Sequence, residues 1–167
     1  LNNTYVRRER EYDEPWNVKT ERYYDTDGNR ILSKEGYDEI RRVFDEKKQA
    51  VRTEYYAEGK LHNLANGYAV LVREYDEQGA AAEESYYGEQ EEPVLSTAGY
   101  HRIVRTWTDR SHVSSEAWFG ADGRPVTLVD VPGTYSLRPV SEEERAAAAA
   151  AASRAAPSCR RTWPAWA

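Results

Sequence analysis

The sequence predicts a mainly β protein: an antiparallel β-hairpin repeat array over residues 1–140, followed by a helical tail over 141–167. Three observations predict this fold. Aromatic residues repeat with one shared period, polar segments separate the aromatic-rich stretches, and a run of alanines follows the last repeat. Because a fixed period of about 20 to 50 residues marks arrays whose units bury their apolar faces on each other, we expect about four stacked, β-solenoid-like units.

Aromatic residues recur at offsets of 32, 31 and 32 residues. Three series follow these offsets: Tyr5, Tyr37, Tyr68 and Tyr100; Tyr12, Phe44, Tyr75 and Trp107; and the pairs that begin at Tyr23, Tyr55, Tyr86 and Trp118. The chain has 13 Tyr and 5 Trp against 2 Phe, so tyrosine supplies most of the burial. A tyrosine ring is apolar while its hydroxyl can stay in water, which suits a thin sheet that is exposed on one face.

Within each unit, stretches rich in aromatic and β-branched residues alternate with turn-forming segments, the pattern of a β-hairpin. In the second unit we expect a strand over 37–44, a polar turn over 45–49, a second strand over 50–56 and a second turn over 57–59. Other strands are expected over 5–12, 18–24, 81–87 and 113–119. The single 31-residue spacing is explained by a deletion in the second turn, because repeats accept length changes in their loops.

A glycine precedes the tyrosine that starts each new unit, at Gly36, Gly67 and Gly99. Glycine has no Cβ and adopts positive φ at little steric cost. We therefore expect a positive φ at each corner where the chain enters the next unit.

An arginine lies five residues after the first tyrosine of each unit, at Arg10, Arg42, Arg73 and Arg105. On the returning strand, the same position of each repeat holds glutamate or threonine, at Glu21, Thr53, Glu84 and Glu116. Opposite charges that face each other across a hairpin contribute roughly 0.2–1 kcal/mol per pair. We interpret these residues as a structural ladder rather than as a ligand site.

The sequence of the tail predicts a C-terminal, alanine-rich α-helix over about 142–156. Ser141 and Glu144 have the spacing of a capping box, alanine has the highest helix propensity, and Pro157 ends the run. This helix is expected to fold back as a cap over the last repeat.

Charge and cysteine content limit the classes of partner. The net charge of −6 argues against nucleic acid. No stretch approaches the roughly 20 apolar residues of a membrane span, and Cys159 is alone, so the chain has no disulfide framework. Since the chain starts at Leu1 without a signal-like segment, we expect it to be a piece of a longer protein.

The repeat resembles two bacterial repeat types. Phe44-Asp-Glu and Tyr75-Asp-Glu-Gln-Gly79 resemble the Tyr-Asp core of YD repeats, which occur in RHS-type surface and toxin proteins. Tyr23-Tyr-Asp-Thr-Asp-Gly28, followed by Gly36-Tyr37, is similar to the cell-wall-binding repeats of choline- and glucan-binding proteins, whose aromatics cage a ligand. The whole unit looks most like tandem 32-residue, tyrosine-rich YD-like repeats over residues 5 to about 135. This resemblance implies a bacterial protein that is located at the cell surface or secreted.

The sequence contains no recognisable catalytic constellation. Its three histidines lie at three different positions of the repeat, so they do not form a repeated metal-binding pattern. The sequence has no phosphate-binding loop, dinucleotide fingerprint or nucleophile elbow. We therefore expect no enzyme activity, no metal and no cofactor. The leading hypothesis is a non-catalytic repeat module that serves as a spacer or a recognition surface. The alternatives are an aromatic-lined module that binds cell-wall glycan or choline, and an accessory repeat region of a larger enzyme or toxin.

Candidate ligand-binding rings are the tyrosines at the corners between units: Tyr23, Tyr37, Tyr55, Tyr68, Tyr86 and Tyr100. Their faces could supply cation–π contacts or stack on a sugar. The competing interpretation is that these rings form the core. A cell-wall glycan or a protein is the expected partner if the rings do bind.

The two ends of such an array present unpaired strand edges, which are templates for another chain. Residues 1–12 begin in mid-repeat and are the expected site of self-association. At the other end, Pro132 and Pro139 are expected to terminate the ladder, because proline cannot donate to it.

Overall fold

The computed structural model describes residues 5–14, 16–109, 111–126, 128–131 and 134–137. Twelve β-strands lie in these ranges: β1 (Arg7–Tyr12), β2 (Val18–Tyr24), β3 (Glu39–Phe44), β4 (Ala50–Ala57), β5 (Lys60–Leu61), β6 (Val70–Tyr75), β7 (Ala81–Tyr87), β8 (Arg102–Asp109), β9 (His112–Phe119), β10 (Pro125–Val126), β11 (Leu128–Val131) and β12 (Thr134–Leu137). The described ranges contain no α-helix. The predicted helix over 142–156, and the whole tail over 141–167, lie outside them.

Ten of the strands form one open antiparallel sheet. Its order is β1-β2-β3-β4-β6-β7-β8-β9-β10, with β5 paired to the end of β4, while β11 and β12 form a separate hairpin. The prediction of a mainly β, antiparallel hairpin array is confirmed. The prediction of a solenoid-like winding is not confirmed, because the described units lie side by side and each adds two long strands to one open sheet.

The strands pair in the same register from unit to unit. The predicted ladder residues face each other directly: Arg10 and Glu21, Arg42 and Thr53, Arg73 and Glu84, and Arg105 and Glu116. A register shift follows in each hairpin just before its turn. Because side chains alternate between the two faces of a strand, this common register places equivalent residues on the same face in every unit.

The turn between the two long strands of a unit is held by an aspartate. In the second unit, Asp45 Oδ1 accepts hydrogen bonds from the main-chain N–H groups of Lys47 (2.9 Å) and Gln49 (2.8 Å). The next-to-last turn residue has positive φ in the first three units, 75° at Trp16, 63° at Lys48 and 84° at Gly79. Thus two of these three positions hold a large side chain in a conformation that favours glycine.

The corner that leads into each new unit is also repeated. The glycine takes positive φ as predicted, 95° at Gly36, 88° at Gly67 and 86° at Gly99. In each case its N–H donates to the carbonyl three residues earlier, closing a tight turn. The tyrosine that follows each glycine is thereby delivered to the start of the next strand.

The edge strand β1 consists of alternating charges, with five charged residues among its six. Charged side chains at an edge oppose pairing with another copy. These charges weigh against the self-association predicted through residues 1–12, which stays a prediction. Residues 1–4 lie outside the described ranges. The opposite end of the sheet is the two-residue strand β10.

Lys48→Gly is expected to stabilise the fold by about 0.5–1 kcal/mol. A side chain at positive φ is strained by roughly 1–2 kcal/mol, and the greater freedom of glycine in the unfolded chain offsets part of the gain. Lys47→Gly, in the same turn but without positive φ, should lower stability by a similar amount. Urea denaturation midpoints measure both changes, and an equal loss in the two variants would contradict the assigned strain.

Candidate functional site

One face of the sheet, here called the ladder face, carries three rows of side chains that run across the strands. The first row is the tyrosine row of Tyr5, Tyr23, Tyr37, Tyr55, Tyr68, Tyr86 and Tyr100. The second is the charge ladder of Arg10, Glu21, Arg42, Thr53, Arg73, Glu84, Arg105 and Glu116. The third is the aromatic row of Tyr12, Phe44, Tyr75 and Trp107, next to the aspartate turns.

The tyrosine row is continuous. Successive ring centroids are 4.7, 5.8, 5.2, 6.2, 4.7 and 5.8 Å apart from Tyr5 to Tyr100. All six tyrosines selected from the sequence lie in it, and Tyr5 extends it by one ring. The pairs expected at the corners between units, Tyr23 with Tyr37 and Tyr55 with Tyr68, are in contact.

Backbone hydrogen bonds set the spacing of these rings. Rings from β2, β4 and β7 alternate with rings from the corners that precede β3, β6 and β8. At each junction the N–H of the strand tyrosine donates to the residue after the corner tyrosine, as Tyr55 N does to Ala69 O at 2.9 Å. Since neighbouring strands are about 4.8 Å apart, one ring per strand gives ring-to-ring contact along the whole row.

The rings of the row are tilted or edge-on to each other, with interplanar angles between 34° and 67°. Tyr23 and Tyr86 are buried, at 6% and 8% exposure, whereas the other rings between them are partly exposed. Burial raises the pKa of Tyr37 and of Tyr86 well above the ordinary value. Because the rings fill the space between one another, a ligand would meet ring edges and hydroxyls along the row rather than a cage.

In the charge ladder, Glu21 and Glu84 are each bridged by arginines of two strands. Glu21 accepts hydrogen bonds from Arg10 Nε at 2.8 Å and Arg42 Nη1 at 3.0 Å. Burial opposes the charge of Glu21, but these hydrogen bonds outweigh it and lower its pKa. Glu84 is bridged in the same way by Arg73, at 3.1 Å, and by Arg105. The predicted ladder is thus present, and it links units as well as the strands of one hairpin.

The aromatic row fastens the third unit to the second and the fourth unit to the third. Tyr75 Oη donates to Ala50 O at 3.0 Å, and Trp107 Nε1 donates to Ala81 O at 2.9 Å. A shallow, open depression of about 600 Å³ lies beside this row and the charge ladder, lined by Asn17, Val18, Glu21, Arg42, Phe44, Lys48, Gln49, Ala50 and Tyr75. Within it, the buried Oε1 of Gln49 has no hydrogen-bond partner among the described residues.

The opposite face carries the second member of each aromatic pair. A guanidinium lies over the ring in three units, Arg7 over Tyr24 at 4.2 Å, Arg41 over Tyr56 at 4.1 Å and Arg102 over Phe119 at 4.1 Å. In the remaining unit His101 packs edge-on to Tyr87 with centroids 5.2 Å apart. The alternation of strand residues places these arginines, and not those of the charge ladder, on the same face as these rings.

A buried carboxylate on this opposite face was missed by the sequence reasoning. Glu39, with its side chain 4% exposed, is bonded by Arg22 at 3.0 Å, Arg30 at 2.8 Å and Arg41 at 2.5 Å. Burial opposes its charge, yet these bonds prevail and lower the pKa of Glu39. The equivalent positions hold Arg7, Val70 and Arg102, so the repeat pattern gives no sign of this unit-specific cluster.

Within the described ranges, no group of three or more His, Cys, Asp and Glu side chains is placed to hold a metal ion. No helix in those ranges has the length and apolar character needed to cross a membrane. No protein-family model matches the chain, and no curated protein matches it.

Raising the pH above about 10 is expected to destabilise the fold. Burial, followed by the hydrogen bond to Glu54, raises the pKa of Tyr56 from 10.0 to about 12. A raised folded-state pKa means that the folded state keeps its proton longer than the unfolded chain does. The contribution of protonated Tyr56 to the free energy of unfolding is therefore fully present below pH 10 and is lost as the pH rises towards 12.

Urea midpoints measured between about pH 8 and 11 test this dependence. Tyr56→Phe should make the decline shallower, because it removes one of the shifted groups. A midpoint that stays constant or rises across this interval would show that the folded-state tyrosines titrate like free ones.

Proposed function

We propose that the chain is a non-catalytic repeat module of a bacterial surface or secreted protein, and that its repeats form a stiff spacer that also offers a recognition surface. The tyrosine row carries the proposal. Its rings touch from Tyr5 to Tyr100, both within a unit and across each boundary between units. The bacterial and surface assignments rest on the resemblance of the units to YD-type repeats.

Ring contacts of the same kind occur within units and between units, which suits a spacer. The distance is 5.2 Å inside a unit, between Tyr37 and Tyr55, and 4.7 Å inside the next, between Tyr68 and Tyr86. Across the boundary it is 6.2 Å, between Tyr55 and Tyr68. Each unit adds two strands, or about 10 Å across the sheet. Length then follows the number of units, and each added unit is held by the same contacts as the last.

Insertion of a second copy of residues 37–67 between Gly67 and Tyr68 tests the spacer. The longest dimension of the chain in small-angle X-ray scattering should increase by about 10 Å, because two more strands join the sheet. The urea midpoint should stay the same or rise, since the insert brings its own share of the tyrosine row and charge ladder. A scrambled insert of the same composition is the matched control. An intact repeat that lowers stability as much as the scrambled one would refute the modular spacer.

A second candidate, binding of a cell-wall glycan, is favoured by the partly exposed rings of the row. Tyr37, Tyr55, Tyr68 and Tyr100 are partly exposed and lie in one line, along which an extended sugar chain could run. Choline is a poorer match, because a quaternary ammonium needs ring faces arranged around it. An accessory region of a larger enzyme or toxin would use the same spacer and surface.

Titration of the tyrosine and tryptophan fluorescence with cell-wall fragments and with choline separates these candidates. Under the spacer proposal we expect no saturable response to either ligand at concentrations up to about 10 mM, equivalent to affinities weaker than about −3 kcal/mol. A saturable response to glycan that is lost in Tyr68→Ala would establish the second candidate. Tyr12→Ala, outside the row and 48% exposed, is the control that should not change the response.

A further inference from the structure

The charge ladder is interrupted at one point. On β2 and on β7 a glutamate lies between arginines of the two neighbouring strands, whereas the equivalent position on β4 holds Thr53. Threonine has no charge to offer, so the two arginines nearest to it lack a shared carboxylate. This interruption lies in the interior of the sheet, between β3 and β6.

The register shows what the threonine replaces. Glu21 lies opposite Arg10 on one side and opposite Ile40 on the other, and Arg42 is two residues beyond Ile40 on the same face. Both arginines bond to Glu21. Two residues along a strand return to the same face, so this arrangement of one carboxylate and two guanidinium groups follows from the pairing.

Thr53 has the same surroundings. It lies opposite Arg42 on β3 and opposite Leu71 on β6, and Arg73 is two residues beyond Leu71 on the same face. Arg42 and Arg73 therefore flank Thr53 as Arg10 and Arg42 flank the carboxylate of Glu21. The position that a glutamate side chain fills in the neighbouring units has no acidic group here.

The two arginines have donors to spare and can be reached from solvent. A guanidinium carries five N–H donors. Among the described residues, Arg42 forms an ion pair with Glu21 and Arg73 with Glu84, each on the side away from Thr53. Their side chains are 24% and 35% exposed. Tyr55 is two residues beyond Thr53 on the same strand and therefore lies on the same face.

We infer that Arg42 and Arg73 form a binding site for a ligand carboxylate above Thr53. Thr53 itself is buried, at 6% exposure, so the ligand group meets the partly exposed guanidinium groups and not the threonine. The planar fork of arginine matches a carboxylate in two hydrogen bonds, which favours this group over a spherical anion. The chemical class is a carboxylate on a small molecule or on an acidic sugar.

Arginine Nε–Hε signals of the ¹⁵N-labelled full chain, titrated with sodium acetate against sodium chloride of equal ionic strength, test the site. We expect saturable shifts of the Arg42 and Arg73 signals at millimolar acetate, comparable to about −3 to −4 kcal/mol of binding free energy. Arg10 and Arg105, which lie opposite glutamates and do not border Thr53, should shift much less. Equal shifts of all four arginines would show general ionic screening and overturn the assignment.

Two variants at the threonine sharpen the test. Thr53→Glu should complete the ladder, weaken acetate binding by about tenfold or more and raise the melting temperature. Thr53→Ser keeps a small hydroxyl and should bind acetate as the parent does. If Thr53→Glu does not fold, Arg73→Gln provides the same test, because it removes one of the two cations. Acetate binding that persists in Thr53→Glu or in Arg73→Gln would refute the site.

Two further ligands define what the site accepts. Glucuronate that binds more tightly than acetate would identify an acidic sugar as the source of the carboxylate, whereas equal affinities would indicate a small carboxylic acid. Sulfate that binds more tightly than either would mean a general oxyanion site, and the carboxylate assignment would then be wrong.

Discussion

Ring-to-ring contact along the tyrosine row is the interaction on which the rest of this sheet depends. A sheet normally buries one face against a second layer of helices or strands. Here the described sheet is a single layer, and the rings of adjacent strands bury one another instead. Tyrosine suits this task better than phenylalanine, because its ring packs while its hydroxyl stays hydrated. The burial of Tyr23 and Tyr86 within so thin a structure follows from this lateral packing.

Paired charges occupy the positions that a second layer would otherwise cover. On the ladder face, arginines of neighbouring strands share the carboxylates of Glu21 and Glu84. On the other face, Glu39 is held by three arginines. Partly exposed ion pairs are individually weak. Their regular placement across strand boundaries ties units together and excludes shifted registers, in which like charges would meet.

The proposed spacer and the inferred carboxylate site come from different properties of the same repeat. Regularity supports the spacer, since the first three units repeat the same ring contact between the corner tyrosine and the strand tyrosine. Departure from regularity supports the carboxylate site, since Thr53 stands where Glu21 and Glu84 stand in other units. An array of near-identical units makes such departures informative, because the neighbouring units show what the position is built to hold.

The period, the strands, the turns and the pairing of the ladder residues could all be predicted from the sequence. They depend on local preferences and on a register that every repeat encodes again. The six candidate tyrosines were predicted in the same way. The sequence did not predict that the units form one open sheet, that the six rings and Tyr5 make a continuous row, or that Glu39 is buried among three arginines. The physical reason is that these features depend on how units meet, and a repeated local pattern is compatible with either an open sheet or a coiled array.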